Sequence, residues 1–121
     1  MAAKRADRPG PCPPLLENRP LISSHEALEM MALFKVLAND TRLRLLHAVY
    51  RAGEPCVGDL AETVGMKPQA VSNQLQRMAD RGILAFKRNG NQIHYRIADP
   101  CVVKLLDRGL CLMEEVRGGR G

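Results

Sequence analysis

The spacing of apolar positions changes along this chain, and the change separates a helical part from a strand part. Between Ser23 and Gly82 apolar residues recur every three or four positions, which is the spacing of a helix face. After Gly82 the runs Ile83–Arg88 and Gln92–Ile97 are strand-like, and Asn89-Gly90 between them is a strong signal for a two-residue hairpin turn. The chain is therefore predicted to be mainly α-helical with one small β-hairpin.

Cap residues, prolines and glycines divide the helical part into separate helices. Ser23 with Glu26 has the form of a capping box, and Gly65 supplies a turn. The predicted helices are one from about His25, then Arg42 to Arg51, Cys56 to Val64, one opening at Pro68 and stopped by Gly82, and one from Asp99-Pro100 to about Glu115. In the second helix the residues predicted to face inward are Leu43, Leu46, Val49 and Tyr50.

The first and last helices carry more apolar residues than a single buried stripe needs. The first includes Leu28, Met30, Met31, Leu33 and Phe34, and the last includes Val102, Leu105, Leu110, Leu112 and Met113. Helices that are apolar round most of their circumference must be covered on more than one side. These two helices are therefore predicted to form a homodimer interface as well as a core face.

The helix that opens at Pro68 has an unusually polar face opposite its apolar residues. Amide, hydroxyl and cationic side chains are what base edges and phosphates require, with Gln69 and Asn73 placed for bases and Lys67 and Ser72 for phosphates. The candidate DNA-binding residues are Lys67, Gln69, Ser72, Asn73, Gln76 and Arg77 on this helix and Lys87, Arg88 and Arg96 near the tip of the hairpin.

The order helix, turn, helix, basic hairpin predicts a winged helix-turn-helix, which lays its second helix in the major groove of DNA. Each part alone has a plainer interpretation, because polar helix faces are commonly just solvated and cationic edge strands discourage aggregation. The combination favours double-stranded DNA as a partner, and so does the net charge of +5 on a chain of 121 residues.

Composition suggests one folded domain with two tails. Prolines cluster before residue 22, where large apolar residues are few, so residues 1–22 are expected to form a flexible arm. Residues 23–116 are expected to form the DNA-binding and dimerisation domain, and residues 117–121 a frayed tail. No apolar run is long enough for a membrane helix and the N-terminus does not resemble a signal peptide, so the expected location is the cytoplasm.

In that compartment Cys12, Cys56, Cys101 and Cys111 are expected to be reduced thiols, open to metal or redox chemistry. The plainer interpretation is that Cys56, Cys101 and Cys111 are small buried hydrophobic residues and that Cys12 is an idle exposed thiol. No Cys-x-x-Cys pair, phosphate-binding loop or Ser/His/Asp arrangement is present, so an enzyme such as a small thiol reductase has little support.

Several runs resemble the ArsR/SmtB family of bacterial metal-responsive repressors across residues 25–115. The segment from Leu33 to Leu46 is similar to that family's helix junction, and the matches continue at Cys56–Ala61, Val71–Leu75, Gly82–Leu84 and Asn91–Ile97. The resemblance implies a non-enzymatic, homodimeric repressor that leaves its operator DNA when an inducer, usually a metal ion, binds. It implies neither a membrane partner nor a small-molecule substrate.

The resemblance also implies two places for the inducer. One family site has the pattern Cys-x-Cys-Asp, to which Cys56–Asp59 is similar except that Gly58 replaces the second thiol, and an arm thiol such as Cys12 adds to this site in some relatives. The other lies between the last helices of a dimer and is similar to Asp99-Pro100-Cys101, with Cys in place of His, together with Glu115 and the neighbouring Cys111.

Cysteine ligands restrict which metal ions can act as inducers at such sites. Thiolates favour soft ions, so mercury, cadmium, lead or arsenite is expected in preference to zinc or nickel. Cys101 and Cys111 are about 15 Å apart along one helix, so sharing an ion requires antiparallel pairing of two chains. Two alternatives keep the fold: a redox-sensing repressor in which oxidation to a disulfide replaces the metal, and a DNA-binding regulator without an effector.

Overall fold

The computed structural model describes residues 16–118, so Cys12 and most of the predicted arm lie outside it. The described chain forms a short 3-10 turn at Leu16–Asn18, followed by helices α1 (Ser24–Leu37), α2 (Asp40–Ala52), α3 (Val57–Val64) and α4 (Pro68–Asp80), strands β1 (Leu84–Asn89) and β2 (Gln92–Ile97), and helix α5 (Pro100–Arg117). From α1 onwards this is the predicted element order, whereas the 3-10 turn at Leu16–Asn18 was not predicted. Among the described residues no helix is both long and apolar enough to cross a membrane.

Side-chain caps define where the helices begin. At α1 the capping box is complete, because the Glu26 backbone N–H donates to Ser23 Oγ (3.1 Å) and the Ser23 N–H donates to Glu26 Oε1 (2.9 Å). Asn39 caps α2 through the Arg42 N–H (3.0 Å), and Asp99 caps α5 through the Cys101 N–H (2.9 Å). Satisfied donors at these ends explain why the predicted starts lie within about two residues of the observed ones.

The core lies where α2, α3 and α4 meet the base of the hairpin. Its largest fully buried side chains are Leu45, Leu46, Val49, Leu60, Val71, Leu75, Met78 and Tyr95. The Tyr95 ring packs on Phe86 with centroids 5.9 Å apart, and burial together with the charge of Asp80 raises the pKa of Tyr95 above its ordinary value of 10.0. With α2 beneath and the hairpin beside it, α4 is held with its polar face outward.

Two predictions about packing and turn geometry are wrong in detail. Leu43 and Tyr50 on α2 were expected to face inward, but their side chains are 40% and 56% exposed. They lie seven residues apart on one stripe of the helix, and the buried stripe is the adjacent one containing Leu45, Leu46 and Val49. Because the core buries that stripe, the side chains of Leu43 and Tyr50 remain exposed to solvent or available to another chain.

The hairpin turn is displaced by one residue from the predicted Asn89-Gly90. Strand register pairs Asn89 with Gln92, so the two loop residues are Gly90 and Asn91. Gly90 has φ +68°, whereas Asn91 does not have positive φ, since no described non-glycine residue does. A type I′ turn is therefore excluded, because that turn needs positive φ at both loop positions. Glycine therefore takes the first loop position, where its backbone freedom is used.

Candidate nucleic-acid interface and metal site

Helix α4 presents the polar face that the sequence predicted. Lys67, Gln69, Asn73, Gln76 and Arg77 are exposed and Ser72 is half-buried, while the apolar residues of α4 are buried against the core. The C-cap of α3 is Gly65 with φ 71° and ψ 40°, a left-handed conformation that turns the chain sharply into α4. The turn and the buried face together fix how α4 projects from the domain.

Two side chains on α4 are already oriented by each other. Gln69 Nε2 donates to Asn73 Oδ1 at 3.3 Å across one helical turn. This bond uses the Gln69 amide nitrogen and the Asn73 carbonyl oxygen, so the Gln69 carbonyl oxygen and the Asn73 amide nitrogen are the acceptor and donor that it does not use. A donor and an acceptor side by side are the groups needed to bind an adenine edge in the major groove.

An open cleft of about 340 Å³ lies between the start of α3, the start of α4 and the hairpin turn. Half-buried Cys56 lines it together with Gln69, Ser72 and Asn91. The hairpin forms the third side of the cleft and is joined to the segment before α3. The Tyr95 N–H donates to the Pro55 carbonyl (3.0 Å), and Cys56 forms a β-bridge with His94. Cys56 therefore lies directly beside the polar face of α4.

The hairpin cations are distributed differently from the prediction. Lys87 Nζ lies 3.8 Å from a Glu54 carboxylate oxygen, with both side chains largely exposed. Arg88 is opposite Ile93, one pair from the turn, but Arg96 is opposite Ala85 near the base of the hairpin. The placement of Arg96 at the tip is thus wrong, because antiparallel register puts residues near the end of β2 beside the start of β1.

The thiols fall in two separate places. Cys101 and Cys111 are both exposed on α5, Cys56 is half-buried at the start of α3, and the predicted fourth ligand, Cys12, lies outside the described residues. Asp99 Oδ1 accepts the Cys101 backbone N–H, and Glu115 lies on the exposed part of α5. Within residues 16–118 of one chain no three Cys, His, Asp or Glu side chains are grouped to hold a metal ion.

A polar contact behind α4 was not predicted from the sequence. Arg42 Nε donates to Gln74 Oε1 (2.7 Å) and Arg42 Nη1 donates to the Val36 carbonyl (2.9 Å). Both side chains are half-buried, and the pair spans 32 positions of sequence. The available signal was weak: Gln74 stands next to the buried stripe of α4 and Arg42 occupies the first turn of α2, but nothing in either helix alone pairs them.

Known proteins resemble this chain over most of its length. The HTH-type transcriptional regulator NmtR of Mycobacterium tuberculosis is 35% identical over 104 residues, which are 84% of this chain and 86% of NmtR. The crystal structure of AntR, an antimony-specific transcriptional repressor, superimposes with a TM-score of 0.76 at 64% identity, covering 91% of this chain and 99% of AntR. The chain belongs to the ArsR/SmtB family. It is a family of DNA-binding transcriptional regulators and not of enzymes.

Two further comparisons bear on the fold of the DNA-binding part. A family model described as MarR family matches residues 39–92, which run from the start of α2 to the start of β2 and so contain the helix-turn-helix. The homodimeric winged helix-turn-helix DNA-binding domain of Mb0332 from Mycobacterium bovis has a TM-score of 0.68 at 28% identity, covering 80% of this chain and 92% of that domain. The fold of the present chain is therefore a winged helix-turn-helix.

Proposed function

We propose that this ArsR/SmtB protein is a cytoplasmic, homodimeric repressor that leaves operator DNA when a thiophilic ion binds cysteine thiolates of α5. The observation that carries the proposal is the pair of exposed thiols, Cys101 and Cys111, on a helix in which no residue is fully buried by its own chain. The 64% identity to an antimony-specific repressor favours a trivalent ion of the arsenic and antimony class.

Dimer formation is supported by the unburied apolar surface of α1 and α5. No residue of α5 is buried although the helix spans 18 positions, and Leu112 and Val116 are 64% and 65% exposed. In α1 only Leu37 is buried, and the exposed apolar residues include Leu28, Met30, Met31 and Phe34. A second copy supplies the partner for both helices, since apolar patches of this extent mark interfaces.

DNA binding is assigned to the polar face of α4 and to the hairpin. Gln69 and Asn73 are proposed to contact base edges, and the cations and hydroxyl around them are proposed to bind phosphates. The phosphate-binding set consists of Lys67, Ser72, Gln76 and Arg77 on α4 with Lys87, Arg88 and Arg96 on the hairpin. Lys87 would exchange its exposed contact with Glu54 for a phosphate, which costs little because solvent-exposed ion pairs are weak.

Metal binding is assigned first to Cys101 and Cys111 of two chains. Along the axis of one helix, positions 101 and 111 are about 15 Å apart, whereas two thiolate sulfurs that bind one ion lie within about 5 Å of each other. Antiparallel α5 helices in a dimer would bring Cys101 of one protomer towards the partner's Cys111. Asp99 and Glu115 are secondary candidates, because carboxylate oxygens suit soft ions less well than thiolates do.

Cys56 and Cys12 form a separate proposal for a second ion. Cys56 lies in the cleft beside Ser72 and Gln69, so an ion there would occupy space at the DNA-binding face itself. Completion of this site requires an additional thiol, and Cys12 is the candidate. Release from DNA would then follow by direct competition, whereas an ion at α5 acts through the geometry of the dimer.

The test is a titration of operator binding with ions. A labelled duplex selected by the reduced protein from a random library is followed by fluorescence anisotropy while Sb(III), As(III), Cd(II), Hg(II) or Pb(II) is added. Release by at least one ion, lost in Cys101→Ser and in Cys111→Ser but kept in Cys56→Ser, is expected if the α5 site is the inducing site. Release lost in Cys56→Ser alone would assign it to the second site at Cys56. If none of the five ions releases the duplex, the proposed inducer class is wrong.

Exposed thiols at two positions also favour a second function, release by oxidation. Cys101 and Cys111 are both accessible to peroxide, and a disulfide between two chains would change the same dimer geometry. Peroxide added to metal-free protein in the presence of a chelator tests this alternative. Release that dithiothreitol reverses and that needs no ion would assign the switch to redox chemistry.

A further inference from the structure

One guanidinium group connects three helices of this domain. Arg42 belongs to the first turn of α2, its Nη1 donates to the Val36 carbonyl in α1 (2.9 Å), and its Nε donates to Gln74 Oε1 in α4 (2.7 Å). The Arg42 backbone N–H is in turn held by Asn39 Oδ1 at 3.0 Å. Both ends of the side chain are therefore fixed, and the bonds run from a helix with an uncovered apolar face to the helix with the polar face.

The strength of this connection follows from its chemistry and its place. Hydrogen bonds from a charged donor are shorter and stronger than neutral ones, and here the groups are half-buried, where water competes less. A guanidinium holds two donors in one rigid plane, so its two acceptors are kept at a constant relative position. A lysine at this position could not bind both acceptors with the same geometry.

Helices α1 and α4 have different main packing partners. Helix α4 packs chiefly against α2, α3 and β1, whereas α1 packs chiefly against α2. The Val36 carbonyl lies in the last turn of α1, one residue before the buried Leu37. Gln74 follows Asn73, whose side chain is exposed beside Gln69, so a rotation of α4 at Gln74 would also turn the exposed face.

We propose that Arg42 is a positioning residue that locks the recognition helix α4 to the dimerisation helix α1 and thereby sets the spacing of DNA half-sites that the dimer accepts. The inference rests on the proposed function, since it takes α1 as part of the dimer interface and α4 as the DNA-reading helix. With the Arg42 link intact, two copies of α4 are held at one separation. Without it, each α4 is held by apolar packing alone and its orientation becomes adjustable.

The experiment compares operators that differ only in half-site spacing. The duplex selected by the wild-type protein is remade with its half-sites moved closer or farther apart by one and by two base pairs. Affinities are measured for wild type, Arg42→Gln, Arg42→Lys and the matched control Arg51→Gln. Arg51 lies on the same helix and is exposed, so its substitution removes the same charge without touching Val36 or Gln74.

Wild type and Arg51→Gln are expected to discriminate between the spacings, whereas both Arg42 variants lose roughly tenfold in affinity for the native spacing and bind all spacings almost equally. The tenfold figure counts only the charge-assisted hydrogen bond to Gln74, because of the two Arg42 side-chain bonds it is the one that acts directly on α4. A weakened fold alone would lower affinity for every duplex by the same factor and leave the discrimination unchanged. That uniform loss, or retained discrimination in Arg42→Gln, overturns the inference.

A second variant keeps the test decisive if Arg42→Gln does not fold. Gln74→Met removes the acceptor on α4 while leaving the Arg42–Val36 bond, and it is expected to lose spacing discrimination in the same way. Gln74→Glu retains an acceptor and is expected to retain discrimination. If wild type binds no selected duplex at all, the proposed DNA-binding function fails. If wild type discriminates and Gln74→Met does so equally, only the role of Arg42 fails.

Discussion

A metal site shared between two α5 helices makes a prediction that a site within one chain does not. Cys101→Ser and Cys111→Ser chains are each expected to lose the ion response as homodimers. A heterodimer of the two variants keeps both native thiols in one of its two sites, namely Cys101 of the second chain with Cys111 of the first. Its other site carries two serines. The heterodimer is therefore expected to recover part of the response that neither homodimer shows.

The magnitude follows from helix geometry and from linkage. Ten residues of helix separate the two cysteines by about 15 Å, roughly three times the span that two thiolates on one ion allow. Cys101 and Cys111 of one chain therefore cannot bind the same ion while α5 stays helical. The heterodimer has one complete inter-chain site, whereas wild type has two. If each site contributes about 1.4 kcal/mol of coupling, wild type is weakened about a hundredfold by the ion and the heterodimer about tenfold.

The assay uses two differently tagged chains that are co-expressed, and the heterodimer is isolated by sequential purification on both tags. Operator affinity is then measured with and without Sb(III), and the bound ion is counted per dimer. A heterodimer of Cys101→Ser,Cys111→Ser with wild type is the matched control, because in it every inter-chain pair lacks one thiol. Equal ion response in the control and the complementing heterodimer, or no response in either, would refute the shared site.

Three further predictions address stability and DNA recognition. Leu75→Ala removes a fully buried side chain from α4 and should lower the free energy of unfolding by about 2–5 kcal/mol in urea denaturation. Because burial and the charge of Asp80 raise the pKa of Tyr95, the folded state favours the neutral phenol. The contribution of Tyr95 to stability should therefore be lost as pH rises through 10 and beyond; Tyr95→Phe should flatten that decline, and an unchanged decline would contradict the assignment. Gln69→Ala and Asn73→Ala should relax sequence preference in selection experiments, whereas Arg88→Ala should weaken all duplexes alike and reduce the salt slope by about one.

Local signals in the sequence were enough for the order of the helices and strands and for the polar face of α4. The Ser23–Glu26 capping box, Gly65 and Asp99-Pro100 act on backbone groups within a few residues, so their effects can be read without knowing the rest of the fold. The polar face of α4 was predicted for the same reason, because helical periodicity determines which side is opposite Leu75. Cys101 and Cys111 are exposed in the single chain, so only a second copy can bury them.

Tertiary structure decided which of several equivalent local choices was used. On α2 the sequence correctly predicted that Leu46 and Val49 are buried, but packing against α3 and β2 buried Leu45 beside them instead of Leu43 and Tyr50. Strand register placed Arg96 at the base of the hairpin. The amino-acid sequence by itself thus determined the helices, the turn at Gly65 and the polar face of α4, because these depend on neighbours a few positions away. The stripe that is buried, the place of Arg96 and the Arg42–Gln74 link depend on contacts between distant segments, which only the folded chain brings together.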